Sequence, residues 1–313
     1  MQGLLPNSRM IQGIFDDENP QTRRRWDTPD ATWDPARNTD AFVAAMPAWR
    51  AHGLLAFTLG MQGGNPEGYS QQQLWLNSAY RADGSLKRPY LDRLAKILNE
   101  ADRLGMVCIL SLFYFGQDQT LQDEAAVIRA LDNTIDWLGE RGDRHVIIEV
   151  ANECDHPKYV HDILRPDRIH TLISRVKDRS QNTLYAGTSF CGGVLPSPQI
   201  LQESDLIFIH GNGVHDPEKL RELIRKVRLS DHYRNQPVVI NEDDHFNFQQ
   251  AENNFLAATD EKVSWGYFDY RIKGETALEQ GYQSLPCDWG ISSPRKKAFF
   301  KLLSNLTREN PKK

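Results

Sequence analysis

Several short motifs that mark large enzyme classes are missing from this sequence. It contains no GxGxxG or Walker-type glycine pattern for nucleotide phosphates, no HExxH or strand-one HxH for a metal ion, and no GxSxG around a nucleophilic serine. The four cysteines are widely spaced and form no CxxC pair, which argues against a zinc knuckle or a disulfide scaffold. Nucleotide-dependent, zinc-peptidase and serine-hydrolase chemistry therefore lack support.

Excess basic charge and long apolar runs are also missing. Lys and Arg total 37 against 42 Asp and Glu, so the formal net charge is −5 and we expect no nucleic-acid partner. No apolar stretch approaches the roughly 20 residues needed to span a bilayer, so we expect no membrane association. Residues 1–6 lack a basic segment followed by an apolar one, and we expect no export signal in this sequence. Because a leader removed beforehand would leave the same residues, the sequence does not decide between a secreted and a cytoplasmic protein.

The sequence does contain a regular alternation of apolar, strand-length runs with amphipathic helical segments. The predicted strands are Met10–Phe15, Leu54–Leu59, Val107–Phe113, Val146–Val150, Thr183–Ala186, Leu206–His210, Val238–Asn241 and Val263–Phe268. The predicted helices are Asp40–His52, Tyr90–Leu104, Leu121–Arg141, Asp167–Arg179, Ser197–Glu203, Pro217–Val227, Phe248–Ala258 and Ser293–Leu306. Eight such units fit a (β/α)8 barrel, which we predict as a single catalytic domain over residues 1–313. A doubly wound open sheet is the alternative, but it should carry a glycine-rich phosphate turn after its first strand.

Two of the predicted strands lead into a glutamate. The run from Val146 to Glu153 reads VIIEVANE, and the run from Pro237 to Glu242 reads PVVINE. In a barrel the ends of strands four and seven face one narrow mouth, where active sites lie. Paired carboxylates hydrolyse glycosidic bonds with retention when they are about 5 to 5.5 Å apart, and with inversion when the gap is wider. We therefore predict Glu153 and Glu242 as a catalytic pair; the alternative for either one is a salt bridge at the barrel rim.

Within this pair, Glu153 is predicted as the general acid/base and Glu242 as the ionised nucleophile. Asn152 is placed to hydrogen-bond the sugar hydroxyl beside the reacting carbon. Because the two carboxylates supply both the proton and the nucleophile, we expect no cofactor and no metal.

Residues at the ends of the other strands complete the predicted sugar-binding site. The predicted substrate-binding residues are Asn152, His210, Asp16, Gln62, Tyr114, Trp265 and Phe268. Aromatic residues in the long loops offer ring faces for stacking on pyranose rings, although each one separately is better explained as an anchor for its loop. These loop aromatics are Trp26, Trp33, Tyr69, Trp75, Tyr80, Tyr282 and Trp289, of which we expect two or three to touch ligand.

The two glutamate segments resemble those of clan A glycoside hydrolases, the superfamily that includes the family 5 cellulases and mannanases. The resemblance follows the eight-unit pattern over nearly the whole chain and is specific in the two segments and in His210 on strand six. It implies a retaining mechanism on β-linked glucans, mannans or related oligosaccharides. It also implies that Glu153 is the acid/base and Glu242 the nucleophile.

The chain departs from the family 5 pattern in three places. An aromatic residue usually follows the strand-six histidine by two positions, and here that position holds Asn212. An arginine near the end of strand two usually supports the nucleophile, and here Met61–Gln62 stands there. On strand eight, Trp265 falls early and Phe268 occupies the likelier inward position for the expected subsite tryptophan.

Two other functions fit the same residues. Carboxylates and histidines near the predicted strand ends offer ligands for a divalent metal, which would make the protein a metal-dependent barrel hydrolase or lyase. A barrel that binds carbohydrate without cleaving it is the second alternative, although such a protein would be expected to lack one carboxylate. For the glycosidase we expect a carbohydrate substrate as the partner and a monomeric protein. The potential metal ligands are Asp16, Asp17, His156, His210, His215, Glu242, Asp243, Asp244 and His245.

Overall fold

In the computed structural model, which describes residues 3–69 and 72–309, strands and helices alternate along the chain. The strands are β1 (Asn7–Arg9), β2 (Ala56–Gly60), β3 (Val107–Tyr114), β4 (Val146–Asn152), β5 (Tyr185–Gly187), β6 (Ile207–His210), β7 (Val238–Glu242) and β8 (Gly266–Tyr267). The helices are α1 (Pro35–Ala51), α2 (Arg88–Leu104), α3 (Glu124–Arg141), α4 (His170–Arg179), α5 (Pro198–Glu203), α6 (Pro217–Arg228), α7 (Asn254–Asp260) and α8 (Pro294–Glu309). This order confirms the predicted alternation, and the main differences lie at β1 and at the starts of α1 and α7. Among these helices, none combines the length and apolar character needed to cross a membrane.

Every pairing between adjacent strands is parallel. Six strands form one sheet in the order β5-β4-β3-β2-β1-β8, and β6 pairs with β7. A parallel bridge between Val239 and Ser264 joins β7 to the segment before β8. The backbone amide of Asp205, just before β6, donates to the carbonyl of Ala186 in β5 at 2.9 Å. The strands thus follow one another around a closed (β/α)8 barrel, as predicted.

Helix α1 begins earlier than apolar periodicity predicts. The carboxylate of Asp34 accepts hydrogen bonds from the backbone amides of Ala36 and Arg37, which satisfies donors that the first helical turn leaves unpaired. Pro35 supplies a helical φ at the first position. The helix therefore starts at Pro35 instead of the predicted Asp40.

The first strand is predicted wrongly. The predicted strand Met10–Phe15 is mostly a 3₁₀ turn at Ile11–Ile14, and the strand itself is the preceding polar run Asn7–Arg9. This run pairs with β2 on one side and β8 on the other, and its side chains bond inside the protein, as Asn7 does with the carbonyl of Ile240 at 3.1 Å. Since β1 ends at Arg9, this arginine lies at the carboxyl end of a barrel strand.

An apolar layer fills the barrel interior near the beginnings of the strands. Its members are Leu5, Ala56, Ile109, Ile147, Leu206, Phe208 and Val239. Toward the ends of the strands the interior is polar instead, with fully buried Arg9, Glu149 and Asn241. Buried charges are tolerated only when they are paired or hydrogen-bonded, so this polar layer must be internally matched.

Candidate active site

Glu153 is the first residue after β4, and it has an unusual backbone conformation. Its φ of 49° lies in the left-handed region that non-glycine residues rarely adopt. The backbone amide of Glu153 donates to Oγ of Ser189 at 3.0 Å, and Ser189 donates to the buried carboxylate of Glu149 at 2.8 Å. These contacts hold a conformation that is otherwise unfavourable, and the Glu153 side chain lines the cleft at the barrel mouth.

Glu242 is the last residue of β7, and a β-bulge determines its direction. The register of β6 with β7 shifts between Ile209 and His210, so that His210 lies opposite Glu242. Adjacent side chains of a regular strand point to opposite faces. Here both Asn241 and Glu242 point inward, because Asn241 donates to Glu149 at 2.9 Å while Glu242 lines the cleft.

The two glutamates meet in one cleft at the carboxyl end of the barrel. An oxygen of Glu153 and an oxygen of Glu242 lie within 4.8 Å of each other, and both lie within this distance of a nitrogen of His210. The cleft that both carboxylates line has a volume of about 420 Å³. The fold therefore brings together two groups that are 89 residues apart in sequence.

Arg9 places a positive charge against this pair. Its Nε lies 2.6 Å from Oε2 of Glu242, and its Nη1 lies 3.7 Å from Oε2 of Glu149. Its Nη2 donates to Oδ1 of Asn152 at 2.7 Å. Arg9 is only 1% exposed, so the loss of either charge would leave the other unpaired in a medium of low polarity. Sequence reasoning misses this residue because a first strand at Met10–Phe15 puts Arg9 at the wrong end of the barrel.

His210, at the end of β6, contacts both glutamates. Its Nδ1 lies 3.0 Å from Oε1 of Glu153 and 3.9 Å from Oε2 of Glu242. Burial alone would lower the pKa of His210, but the charge of Glu242 and the hydrogen bond to Glu153 outweigh burial and raise that pKa. A protonated Nδ1 is then a hydrogen-bond donor to Glu153.

Glu242 combines burial with a donor on each carboxylate oxygen. Burial raises the pKa of the Glu242 carboxyl; Arg9 and His210 oppose the rise, and the charge of Glu153 adds to it. Arg9 holds Oε2, and Nδ2 of Asn212 donates to Oε1 at 2.6 Å. Asn212 thus contacts the carboxylate from the position at which the family 5 pattern has an aromatic residue.

Two groups of aromatic rings line the cleft. Tyr114 stacks on Phe115 with ring centroids 4.3 Å apart, and Phe115 stacks on His156 at 3.7 Å with 10° between the ring planes. Tyr69 and Phe268 meet edge to face at 5.8 Å. Such surfaces suit the apolar faces of sugar rings. Two of the predicted substrate-binding residues, Tyr114 and Phe268, therefore line the cleft that contains the two glutamates.

The remaining predicted substrate-binding residues do not line the cleft in the described part of the chain. Asn152 and His210 lie behind the glutamates, bound to Arg9 and Glu153 respectively. The other three form their contacts elsewhere in the protein, away from the residues that line the cleft. These contacts join Asp16 to Arg23 at 2.7 Å, Gln62 to Ser78 at 3.1 Å, and Trp265 to Asp243 at 2.8 Å.

Most of the loop aromatics anchor their loops. Trp26, Trp75, Tyr80, Tyr282 and Trp289 are each at most 2% exposed. Of the seven loop aromatics, all within the described part of the chain, only Tyr69 lines the cleft, and it is 57% exposed. Most of these rings are therefore anchors for their loops, and they are not exposed in the cleft.

Two groups of described side chains are close enough to hold a metal ion, namely Glu153 with His210 and Glu242, and Asp243 with Asp244 and His245. In the first group, Arg9 and Asn212 already donate to the two oxygens of Glu242. In the second, Trp265 and Asn254 donate to Asp243, which also contacts His245. Both sets of carboxylates are thus hydrogen-bonded by protein groups, and the first has a guanidinium where a cation would bind.

No family model matches this sequence, and no curated protein matches it. Solved structures do match. A glycoside hydrolase family 5 mannosidase from Rhizomucor miehei aligns with a TM-score of 0.58 and 11% identity over 98% of this chain and 94% of that chain. A β-glucosidase from Thermotoga maritima aligns with a TM-score of 0.56 and 13% identity over 100% of this chain and 99% of that one.

The chain shares the (β/α)8 fold of these glycoside hydrolases. It also aligns with a candidate glycoside hydrolase from Bacteroides vulgatus, with a TM-score of 0.58 and 13% identity. That alignment covers 92% of this chain and 55% of that protein, so the chain spans about half the length of this relative. Similarity at such low identity establishes the architecture and not the chemistry.

Proposed function

We propose that this protein is a divergent clan A glycoside hydrolase that cleaves β-linked glycosides with retention of configuration. The observation that carries the proposal is the approach of the Glu153 and Glu242 carboxylate oxygens to within 4.8 Å. Retaining enzymes hold their carboxyl groups about 5 to 5.5 Å apart, whereas inverting enzymes need roughly 6.5 to 9.5 Å for an intervening water. The shared fold with solved glycoside hydrolases supports the same reaction class.

The surroundings of the two carboxylates support a separate role for each. Glu242 forms an ion pair with Arg9 at 2.6 Å, which opposes the effect of burial on its pKa and supports the role of ionised nucleophile. Glu153 faces the cleft with the imidazole of His210 at 3.0 Å, and it is the general acid/base. Glu153 protonates the glycosidic oxygen while Glu242 bonds to the anomeric carbon; Glu153 then takes a proton from the water that displaces Glu242.

A β-linked gluco- or manno-oligosaccharide is the proposed substrate. The cleft-lining rings offer apolar faces, and the reaction needs no cofactor because the two carboxylates carry both proton transfer and covalent catalysis. Solved structures of the same fold include a mannosidase, an endo-mannanase and a broad-specificity endoglucanase, so both sugar configurations belong in a first screen.

Aryl β-glucosides, aryl β-mannosides, β-glucans and mannans test the proposal with the parent protein and two variants. Glu242→Ala should abolish turnover while circular dichroism shows an unchanged fold. Glu153→Ala should slow cleavage by about 10²- to 10⁴-fold, most severely on substrates with poor leaving groups. Proton NMR of the first product should show retained anomeric configuration.

Other outcomes would contradict this function. Full activity in Glu242→Ala, or an inverted first product, would rule out the proposed double displacement. Activity that is lost with a chelator and restored by a divalent metal would favour the metal-dependent alternative. Saturable sugar binding without cleavage of any substrate would favour a non-catalytic carbohydrate-binding barrel.

A further inference from the structure

Tyr69, in the loop between β2 and α2, is the centre of a hydrogen-bonded chain that ends at Glu242. Its hydroxyl donates to Oδ2 of Asp244 at 2.9 Å and accepts a hydrogen bond from Nδ2 of Asn212 at 2.7 Å. The same nitrogen of Asn212 donates to Oε1 of Glu242 at 2.6 Å. We refer to Asp244, Tyr69 and Asn212 as the Tyr69 relay.

The direction of each hydrogen bond in the Tyr69 relay is fixed by Glu242. A carboxylate oxygen only accepts, so the Asn212 atom 2.6 Å away must be the amide nitrogen and not the amide oxygen. The second hydrogen of this amide points to Tyr69, which must therefore accept it. The single hydrogen of the tyrosine hydroxyl is then available for Asp244. Each member has one consistent arrangement.

We propose that Tyr69 is a positioning residue for Glu242, acting through Asn212. This inference rests on the proposed role of Glu242 as the nucleophile. Arg9 fixes Oε2 of the carboxylate, and the Tyr69 relay fixes Oε1, so that the group is held against rotation with both oxygens supplied by donors. Hydrogen bonds that end on a charged group are stronger than neutral ones, and a chain of them reinforces each member.

The charges around Glu242 increase the importance of the hydrogen bond that Asn212 donates to it. One arginine and one histidine face a group of negative or potentially negative side chains, so the charged form of Glu242 depends on every donor it has. The titratable groups that face it are Arg9 from β1, Tyr69 from the loop after β2, Tyr114 from β3, Glu153 after β4, His210 from β6 and Asp244 after β7.

The ring of Tyr69 is held independently of its hydroxyl. It lies edge to face with Phe268 at 5.8 Å and with Tyr270 at 4.8 Å. The preceding Gly68 has a φ of +87°, and a Cβ there would come within 2.9 Å of the Tyr270 ring. Because these contacts do not involve the hydroxyl, Tyr69→Phe removes the relay hydrogen bonds and leaves the ring in place.

Steady-state kinetics of Tyr69→Phe on an aryl β-glycoside cleaved by the parent test the proposal. We expect kcat/KM to fall about five- to tenfold, with KM changed less than about twofold, because a hydrogen bond to a charged network is lost. The acid limb of the pH profile should move to higher pH, which a purely structural role would not cause. Tyr270→Phe is the matched control, since Tyr270 packs on Tyr69 outside the relay, and it should leave both quantities unchanged.

A double-mutant cycle tests the path through Asn212. Asn212→Ala should lower kcat/KM at least as much as Tyr69→Phe, and adding Tyr69→Phe to Asn212→Ala should have no further effect. Losses that multiply would show that Tyr69 acts on the substrate or on another group, and would overturn the relay.

A titration without substrate separates this inference from the proposed function. In protein labelled with ¹³C at glutamate carboxyl carbons, the Glu242 signal is assigned by its absence in Glu242→Gln. Its titration midpoint should move to higher pH in Tyr69→Phe and remain in place in Tyr270→Phe. An unmoved midpoint would overturn the relay even if glycosidase activity is found, and a moved midpoint would support it even if Glu242→Ala remains active and the proposed reaction fails.

Discussion

Arg9 and Glu242 connect the first and seventh strands of the barrel through an ion pair of 2.6 Å between Nε and Oε2. The two side chains are 1% and 7% exposed, so the pair lies in a medium where an uncompensated charge is costly. The same guanidinium lies 3.7 Å from Glu149. One cation therefore serves two buried carboxylates.

Removal of this cation should reduce both stability and activity. Arg9→Met leaves Glu149 and Glu242 buried with only the imidazole of His210, 3.9 Å from each, as a positive partner. We expect a loss of about 3 to 5 kcal/mol in the free energy of unfolding at neutral pH. The loss should shrink as the pH falls, because burial raises the pKa of the Glu242 carboxyl and its protonation removes that charge. Urea denaturation at neutral and at acidic pH measures the free energy of unfolding, with Arg9→Lys as the variant that retains the charge. An Arg9→Met protein as stable as the parent would show that the ion pair does not contribute to the free energy of unfolding.

The pH dependence of activity should report the burial of Glu242. Burial raises the pKa of its carboxyl above the usual value of 4.5. Because the nucleophile must be ionised, kcat/KM should be lost as the pH falls through this raised value, and the acid limb should be centred above 4.5. A pH profile of kcat/KM measures the midpoint directly. An acid limb centred at or below the usual carboxyl value would contradict the assignment.

The aromatic stack should contribute to substrate binding more than to the chemical step. The imidazole of His156 extends the Tyr114–Phe115 stack and lines the cleft, with a centroid 3.7 Å from Phe115. His156→Ala should therefore raise KM about three- to tenfold with little change in kcat, the scale of one lost ring contact. Asp16→Asn is the control, because Asp16 pairs with Arg23 away from the cleft. Equal effects of the two variants would argue against sugar binding at this stack.

Gly63 should be required for the position of Tyr114. Gly63 has a φ of +66°, and a Cβ there would lie 2.3 Å from Cβ of Tyr114, whereas Gly105 has a φ of +62° and no atom within 4 Å of its Cβ position. Gly105→Ala should cost about 1 to 2 kcal/mol of stability from backbone strain alone. Gly63→Ala should cost about 1 to 3 kcal/mol more from the clash, and should also raise KM by displacing Tyr114. Thermal unfolding of both variants measures the difference, and equal losses would disprove the clash.

Sequence reasoning predicts those features of the site that follow from the local alternation of strands and helices. Apolar runs alternating with helical segments predict the barrel. Because the carboxyl ends of parallel strands meet at one edge, the sequence also predicts that Glu153 and Glu242 lie close together. The role of Glu149 could not be recognised, because a single carboxylate within an apolar strand does not show by itself which distant residues it contacts. Its partners Ser189 and Asn241 come from 40 and 92 residues away.

Side-chain direction limits the rest of the prediction. A residue at a strand end lies near the barrel mouth, but its side chain faces the interior or the surrounding helices according to register, and a shift of one residue reverses it. Trp265 illustrates this, since it is 1% exposed and packs on Phe255 and Phe299 instead of lining the cleft. Arg9 is the opposite case, a residue that lies at the site but could not be predicted there. Its strand, Asn7–Arg9, is polar and shows no alternation of apolar residues.

The position of Arg9 in β1 also links the assembly of the barrel to its electrostatics. β1 is the strand that joins β2 to β8, so without it the sheet is open at that point. In such an open sheet, water rather than a guanidinium would be the neighbour of Glu149 and Glu242. The pairing of β1 with β2 and β8 therefore closes the sheet and places the guanidinium beside both carboxylates. A barrel closed with β1 out of register would bury Glu149 and Glu242 without this guanidinium, so the ion pairs of Arg9 favour the native register over such a state.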